Sequence, residues 1–404
     1  MTFKQRPFVL LCLVGFFFYI SYDIARAPLL PLFAEELGAG PSMVGLIVAV
    51  STMTGIFLKF PVGVLSDLIG RRRLLTVSLT VLSVMPFVYP FIHHQSLLIL
   101  VRSAHGLATA IFAPTAMAAV VHLFAERRGE SLGWYSSATQ AGRMIGPMIG
   151  GAVLSAAGYT TAYLVCGGIG LFALGLFTGL RVDPTPKPSR VDRQAGVNPD
   201  QRLSRQFIRG IREIIGDRKI LIASASEAMQ MLGNGALMAF LPVYGVGVGL
   251  SPALVGILFG VQGMVAIFSK PVMGKMSDRM GRSSLIVLGL ILCAMAVAGI
   301  PWTSRFSLLA LLAGLFGIGE AIVTAASAAL VADLCQSRSL GSAMGIFGTV
   351  MDIGHASGPI LTGLLVSALG YQVAFGTVGA CLMVTSVLFA ATFLRPPRHI
   401  SSGN

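Results

Sequence analysis

The chain has 404 residues, of which 55% are hydrophobic and only 11% charged, with a mean hydropathy of +0.81. That is too little charge to cover a soluble domain of this size, so a water-soluble globular fold is excluded. The net charge of +13 does not point to nucleic acid either, because the basic residues cluster in alternate loops.

These clusters are Lys4/Arg6, Arg71–Arg73, Arg127/Arg128, the stretch Arg181–Lys219, Lys275/Arg279/Arg282, Arg338 and Arg395/Arg398. The intervening loops carry Glu35/Glu36, His93/His94 and Arg305. Such asymmetry predicts a multi-pass protein of the cytoplasmic (inner) membrane with both termini and the central loop in the cytoplasm. Apolar blocks such as Leu74–Phe91, Tyr163–Leu180 and Leu285–Ile300 reach the roughly 20 residues of a bilayer crossing with their flanks. They lack the alternation of barrel strands, so the expected fold is all-α. The five cysteines (Cys12, Cys166, Cys293, Cys335, Cys381) show no disulfide or CxxC spacing.

In chain order the spacing predicts helices over 7–33, 42–62, 74–92, 96–122, 131–155 and 161–181, forming a first bundle over 1–181. A polar, Pro- and Arg-rich linker follows over 182–217. Helices over 218–244, 252–273, 284–300, 306–333, 341–367 and 371–394 form a second bundle over 218–394, with a tail over 395–404. The start mimics a secretory signal, with Lys4/Arg6, an apolar run and Ala25-Arg26-Ala27. Pro28 would follow the cut, however, so the segment reads as helix 1.

Helix 1 carries Tyr19, Asp23 and Arg26 on one face, and Pro28-Leu-Leu-Pro31. Between helices 2 and 3 runs Gly63-Val-Leu-Ser-Asp67-Leu-Ile-Gly70-Arg71, a breakable polar latch. Helix 4 carries Arg102-Ser-Ala-His105-Gly106. Helix 5 carries Gly142-Arg143-Met-Ile-Gly146-Pro147-Met-Ile-Gly150-Gly151, in which glycine every fourth residue permits close helix contact.

In the second half, helix 7 has Glu227, Gln230 and Asn234 on one side, and helix 10 has Glu320. Helix 11 pairs Asp352 with His355 beside Gly354 and Gly358-Pro359. The second latch is Gly274-Lys-Met-Ser-Asp278-Arg-Met-Gly281-Arg282. Shifting the chain by 211 positions superposes Pro31 on Pro242, Pro41 on Pro252, Lys59 on Lys270 and the two latches. One residue further, Gly142/Gly146-Pro147 meets Gly354/Gly358-Pro359. The chain is therefore read as an internal duplication of one six-helix unit.

The two latches have the form G-x-L-[AS]-D-x-x-G-R, and the chain resembles the major facilitator superfamily over essentially its whole length. P-x-x-P on helix 1, the R-x-x-Q-G-like segment on helix 4 (with His105 in place of Gln) and G-x(3)-G-P-x(2)-G-G on helix 5 are similar to its twelve-helix drug:proton antiporter branch. The resemblance implies twelve transmembrane helices in two pseudo-symmetric bundles, a monomer, and a cavity lined by helices 1, 4, 7 and 10. Asp23, Arg26, Arg102, His105, Glu227, Asn234 and Glu320 would then surround one pathway. It also implies that Asp67 contacts the start of helix 11 near Gly341-Ser342 in the outward-open state.

A charge at membrane depth costs at least ~2.5–3.5 kcal/mol, so each needs a reason. Asp23, then Glu320, Glu227 and Asp352, are candidates to exchange a proton, because burial favours a protonated carboxyl and a nearby arginine favours the ionised form. Alternatively, Asp23 is held in an ion pair with Arg26 or Arg143. Three deep arginines permit an anionic or zwitterionic substrate, while Met229/Met231/Met238 and Phe16–Phe18 form either a plastic apolar wall or plain packing. Lys59 and Lys270 are expected to snorkel to the interface, without a transport role.

No ATP-binding loop of the G-x-x-x-x-G-K-[ST] form and no H-E-x-x-H appears. The chain therefore reads as neither pump nor enzyme, with no cofactor and no metal. The leading reading is a secondary active exporter exchanging protons for a small amphiphilic compound. Alternatives are a proton-coupled importer, an organic-anion carrier, or a non-transporting receptor or scaffold. Replacing Asp67 with Asn is expected to cut transport roughly tenfold or more while membrane insertion is unchanged, as read by substrate flux and by yield in the membrane fraction.

Overall fold

The computed structural model describes residues 6–123, 128–180, 218–334 and 340–394, and every regular element among them is helical. Asp67, Asp278, Gly341 and Ser342 lie on described backbone, but their side-chain surroundings fall outside the description, as do Lys59, the linker and the tail.

The first crossing is built from α1 (Arg6–Ile24) and α2 (Leu29–Glu36) rather than one helix over 7–33. Pro28 disfavours helical geometry in the residue before it and donates no backbone hydrogen bond, so the helix breaks there. α3 (Pro41–Ile69) continues through Gly63–Ile69, which the sequence suggested was a connecting loop. Nothing in that stretch stops a helix until Gly70, whose φ of 95° ends it in one residue. α4 (Arg71–Val84) passes into short 3₁₀ turns at Met85–Phe87 and Tyr89–Phe91, where Pro86 and Pro90 interrupt the α-helical ladder.

α5 (Gln95–Leu123) and α6 (Arg128–Thr178) complete the first half. The second half holds α7 (Arg218–Gly247), α8 (Pro252–Met280), α9 (Arg282–Gly299), α10 (Phe306–Leu334) and α11 (Leu340–Phe393). Among the described residues nine segments are long and apolar enough to cross a membrane. Two of them, within α6 and α11, run 50 residues each, about twice a single crossing. Each is broken at a glycine of positive φ, Gly158 (77°) and Gly370 (79°). α7 is 30 residues long and is made less apolar by Glu227, Gln230 and Asn234. The helical pattern therefore accommodates the duplicated six-helix unit.

Packing repeats with the sequence. A Cβ at Gly142 would lie against the carbonyl of Phe16, and one at Gly146 would meet the Ile20 carbonyl at 3.0 Å. In the second half Gly354 faces the carbonyl of Ala228, and Gly358 that of Leu232. Every partner is displaced by the same 212 positions. Glycine removes the side chain that would hold these backbones apart, and close contact is what drives helix association in lipid.

The halves meet by the same logic. Gly45 of α3 abuts the Pro359 carbonyl, and its counterpart Gly256 of α8 abuts that of Pro147. Ser42 Oγ donates to Gly363 O (3.5 Å), and the Ala253 N–H donates to Ser155 Oγ (2.9 Å). These contacts gather at the end bearing the turns 37–40, 156–160 and 248–251, so that end is closed. At the opposite, basic end, Arg71 Nη1 donates to Ala118 O (3.2 Å) and the equivalent Arg282 pairs with Asp333 (2.6 Å). Each ties a latch to the end of a neighbouring helix in its own half.

Gly358→Val is expected to cost about 1–3 kcal/mol by overpacking and to lower the melting temperature in detergent. Gly376→Ala, where an added Cβ meets nothing within 4 Å, is expected to leave that temperature unchanged or slightly raised.

Candidate functional site

Between the halves lies a cavity of about 440 Å³, within the range of small-molecule sites. A second cavity of about 490 Å³ shares Tyr19, Gln140, Arg143 and Lys270 with it and extends past Tyr135, Ser136 and Pro271. The combined space thus runs from the closed end toward the basic end.

Of the residues singled out from the sequence, Tyr19, Asp23, Arg26, Arg143, Pro147, Asn234, Glu320, Asp352 and His355 line the first cavity. Gly146 sets Asp23 there, because an added Cβ would lie 3.0 Å from the Asp23 Cβ. Asp23 Oδ1 stands 3.9 Å from Arg26 Nη1, and its Oδ2 is buried without a hydrogen-bond partner. Arg26 Nη2 reaches across the halves to His355 Nε2 at 2.8 Å. Arginine can only donate, so His355 accepts there through an unprotonated nitrogen. The guanidinium of Arg143 lies 3.9 Å over the Tyr19 ring and is exposed to the cavity.

The opposite wall is built differently. Glu320 Oε2 accepts from Asn234 Nδ2 (3.4 Å) and Gln262 Nε2 (3.1 Å). Both donors are neutral amides. Methionines 144, 231, 238 and 351 with Phe259 supply apolar surface.

Four of the residues expected on the pathway sit behind the cavity walls, two in each half. Arg102 and His105 are fully buried. Arg102 Nη2 donates to Tyr22 OH (3.3 Å) with its guanidinium 5.0 Å from that ring, and His105 Nδ1 pairs with Tyr89 OH (3.1 Å). Glu227 and Gln230 are also fully buried. Glu227 accepts from Thr324 (3.1 Å) and Ser327 (2.6 Å), both on α10. Helix periodicity puts these residues on a polar face, but Tyr22, which lines the cavity, packs against both Arg102 and His105 and covers them.

Sequence reasoning missed Gln262 and misassigned Lys270. Both lie on α8, eight residues apart on one face, and Lys270 lines both cavities rather than reaching only for the interface. A glutamine two turns before a lysine, within the apolar part of the helix, was the available signal.

Removing His355 is expected to loosen the closed end. In a background whose native cysteines are alanine, a cysteine at Ser42 should react several-fold faster with an impermeant maleimide when His355→Ala is added. An unchanged rate would mean the Arg26–His355 contact does not hold that end.

A model of the Major Facilitator Superfamily matches residues 11–304 and again 223–403, so it covers nearly the whole chain and overlaps itself in the second half. An uncharacterised MFS-type transporter of Methanocaldococcus jannaschii is 22% identical over 85% of this chain and 87% of its own length. The multidrug resistance protein MdtG of Serratia proteamaculans is 25% identical over 91% of this chain and 87% of its own. The synaptic vesicular amine transporter of Bos taurus is 26% identical over 88% of this chain and 66% of its own. Among solved structures, a bacterial homologue of the human lysosomal transporter Spinster, inward-facing and unoccupied, superposes with a TM-score of 0.80 at 16% identity, covering 97% of this chain and 96% of that one. The nucleoside transporter NupG superposes with a TM-score of 0.79 at 12% identity, covering 98% of this chain and all of that one. At such identities the likeness is one of fold.

Proposed function

We propose that this chain, which belongs to the major facilitator superfamily, is a proton-coupled exporter moving small amphiphilic compounds by alternating access. As a member it is a multi-pass membrane transporter of small molecules and not an enzyme. The observation that carries the finer reading is the chain of contacts from Asp23 to Arg26 to His355, which links an acid of one half to a side chain of the other.

In this reading Asp23 carries the proton. While ionised it attracts Arg143 and Arg26, with Arg102 further contributing, and Arg26 is the one that reaches the other half. Protonation removes that attraction, and Arg26 is then held by His355 alone. The balance of forces across the closed end therefore changes with the charge on one carboxylate. A ligand can shift such an equilibrium only by its differential affinity for the two states, and the proton supplies that difference through Asp23. The latch at Asp67 would hold the opposite end against the start of the eleventh crossing when the closed end opens. The basic loops favour a cytoplasmic setting for the end now open, in the inner membrane, with the chain acting as a monomer.

The names of two relatives, a multidrug resistance protein and a vesicular amine transporter, agree with small compounds of mixed polarity as cargo. The apolar methionine wall supports the same class.

In liposomes holding the purified protein and an imposed pH gradient, addition of such compounds is expected to dissipate the gradient, whereas empty liposomes hold it. Asp23→Asn is expected to abolish the proton movement while the protein keeps its melting temperature. Proton movement that persists in that variant would make Asp23 structural, and silence across cationic, neutral and anionic compounds would overturn the proton-coupled reading.

A further inference from the structure

We infer that the cavity between the halves is a zwitterion site, receiving an anionic group at Arg143 and a protonated amine at Glu320. This deepens the transporter reading and rests on it for the cavity's role as a substrate site, but not on proton coupling.

Two charges in the wall, Arg143 and Glu320, are held by neutral neighbours. Arg143 belongs to α6 in the first half. Its face is covered by the Tyr19 ring at 3.9 Å, and among the described residues no carboxylate pairs with it directly, Asp23 acting on it only from a distance. Stacking occupies the flat face of a guanidinium and leaves its N–H edge for a planar or tetrahedral anion. That edge belongs to a side chain exposed to the cavity, so an anion can reach it.

Glu320 belongs to α10 in the second half. Its described hydrogen bonds come from Asn234 and Gln262 and both fall on Oε2, which leaves Oε1 for a ligand. Because an ionised carboxylate only accepts, Gln262 must point its Nε2 at Glu320. Its own Oε1 is then buried without a hydrogen-bond partner. Glu320 Oε1 therefore presents an acceptor to the cavity, which the Gln262 side chain also lines. A protonated amine donates to that oxygen and neutralises its charge. A neutral donor leaves that charge unbalanced, and an anionic group is repelled by it.

These two charges face a common space from different halves. A purely cationic amphiphile would bring positive charge against Arg143, and a purely anionic one would meet Glu320. Each mismatch carries a penalty for desolvating a charge without a partner. A molecule bearing both signs on an apolar body meets Arg143, Glu320 and the methionines together. Because the two anchors lie on opposite halves, such a ligand also bridges the parts that must move relative to one another.

The test is direct binding to the purified protein by calorimetry, using biphenylalanine, its methyl ester and its N-acetyl derivative as a set on one apolar body. The free amino acid is expected to bind roughly tenfold or more tightly than either single-charge derivative. Arg143→Gln should weaken the amino acid and the N-acetyl compound but not the ester. Glu320→Gln should weaken the amino acid and the ester but not the N-acetyl compound. Arg143→Lys should retain the preference for an anionic group, and the wild-type series stands even if a glutamine variant fails to fold.

Equal or tighter binding of the ester or the N-acetyl compound would overturn the inference. So would no binding of any of the three at millimolar concentration, or variants that do not alter the charge preference. The expected binding pattern without proton movement in liposomes would defeat the proton-coupled reading and leave this one standing. Proton-coupled movement of singly charged compounds, indifferent to Arg143, would do the reverse.

Discussion

The glycine rows of the fifth and eleventh crossings carry the architecture, because they let backbone meet backbone where hydrocarbon offers no hydrophobic drive for helices to associate. Gly142 and Gly146 seat α6 on α1, and Gly354 and Gly358 seat α11 on α7. The prolines that follow, Pro147 and Pro359, then turn their carbonyls toward Gly256 and Gly45 of the other half. One short motif thus sets both the packing inside each half and the contact between halves.

That arrangement decides where charge can go. With α1 held against α6, Asp23, Arg26 and Arg143 come together on the inner face instead of facing lipid, where each would be costly. With α7 held against α11 and α10, Asn234 and Glu320 meet Gln262 of α8. The duplication repeats the glycine packing but not the chemistry. Arg143 and His355 occupy equivalent places, as do Asp23 and Asn234, and the two walls of the cavity differ as a result. A symmetric scaffold thereby presents an asymmetric site, which is the requirement for recognising a molecule with distinct ends.

The buried residues behind the wall have a different part. Arg102 bonded to Tyr22, His105 to Tyr89, and Glu227 to two hydroxyls of α10 each find a partner within their own half, while Arg102 Nε and Nη1 and His105 Nε2 stay buried without one. These contacts tie together helices of one half.

Much of this was legible from residue order alone. Long apolar blocks dictate helices because a bilayer leaves backbone groups no other partner. The 211-residue offset exposes the duplication, and glycines four apart mark the packing faces. The loop motif before Gly70 was read as a connection, although its residues continue the helix until a glycine of positive φ ends it. What only the tertiary structure decided is which polar residues reach the cavity. Helical spacing places Arg102 and Arg143 alike on an inner face. Whether a charge meets the cavity or a neighbour's hydroxyl depends on side chains from other helices, such as Tyr22, Tyr89 and Gln262. No spacing along one helix records that, because those contacts form only when separate crossings pack together.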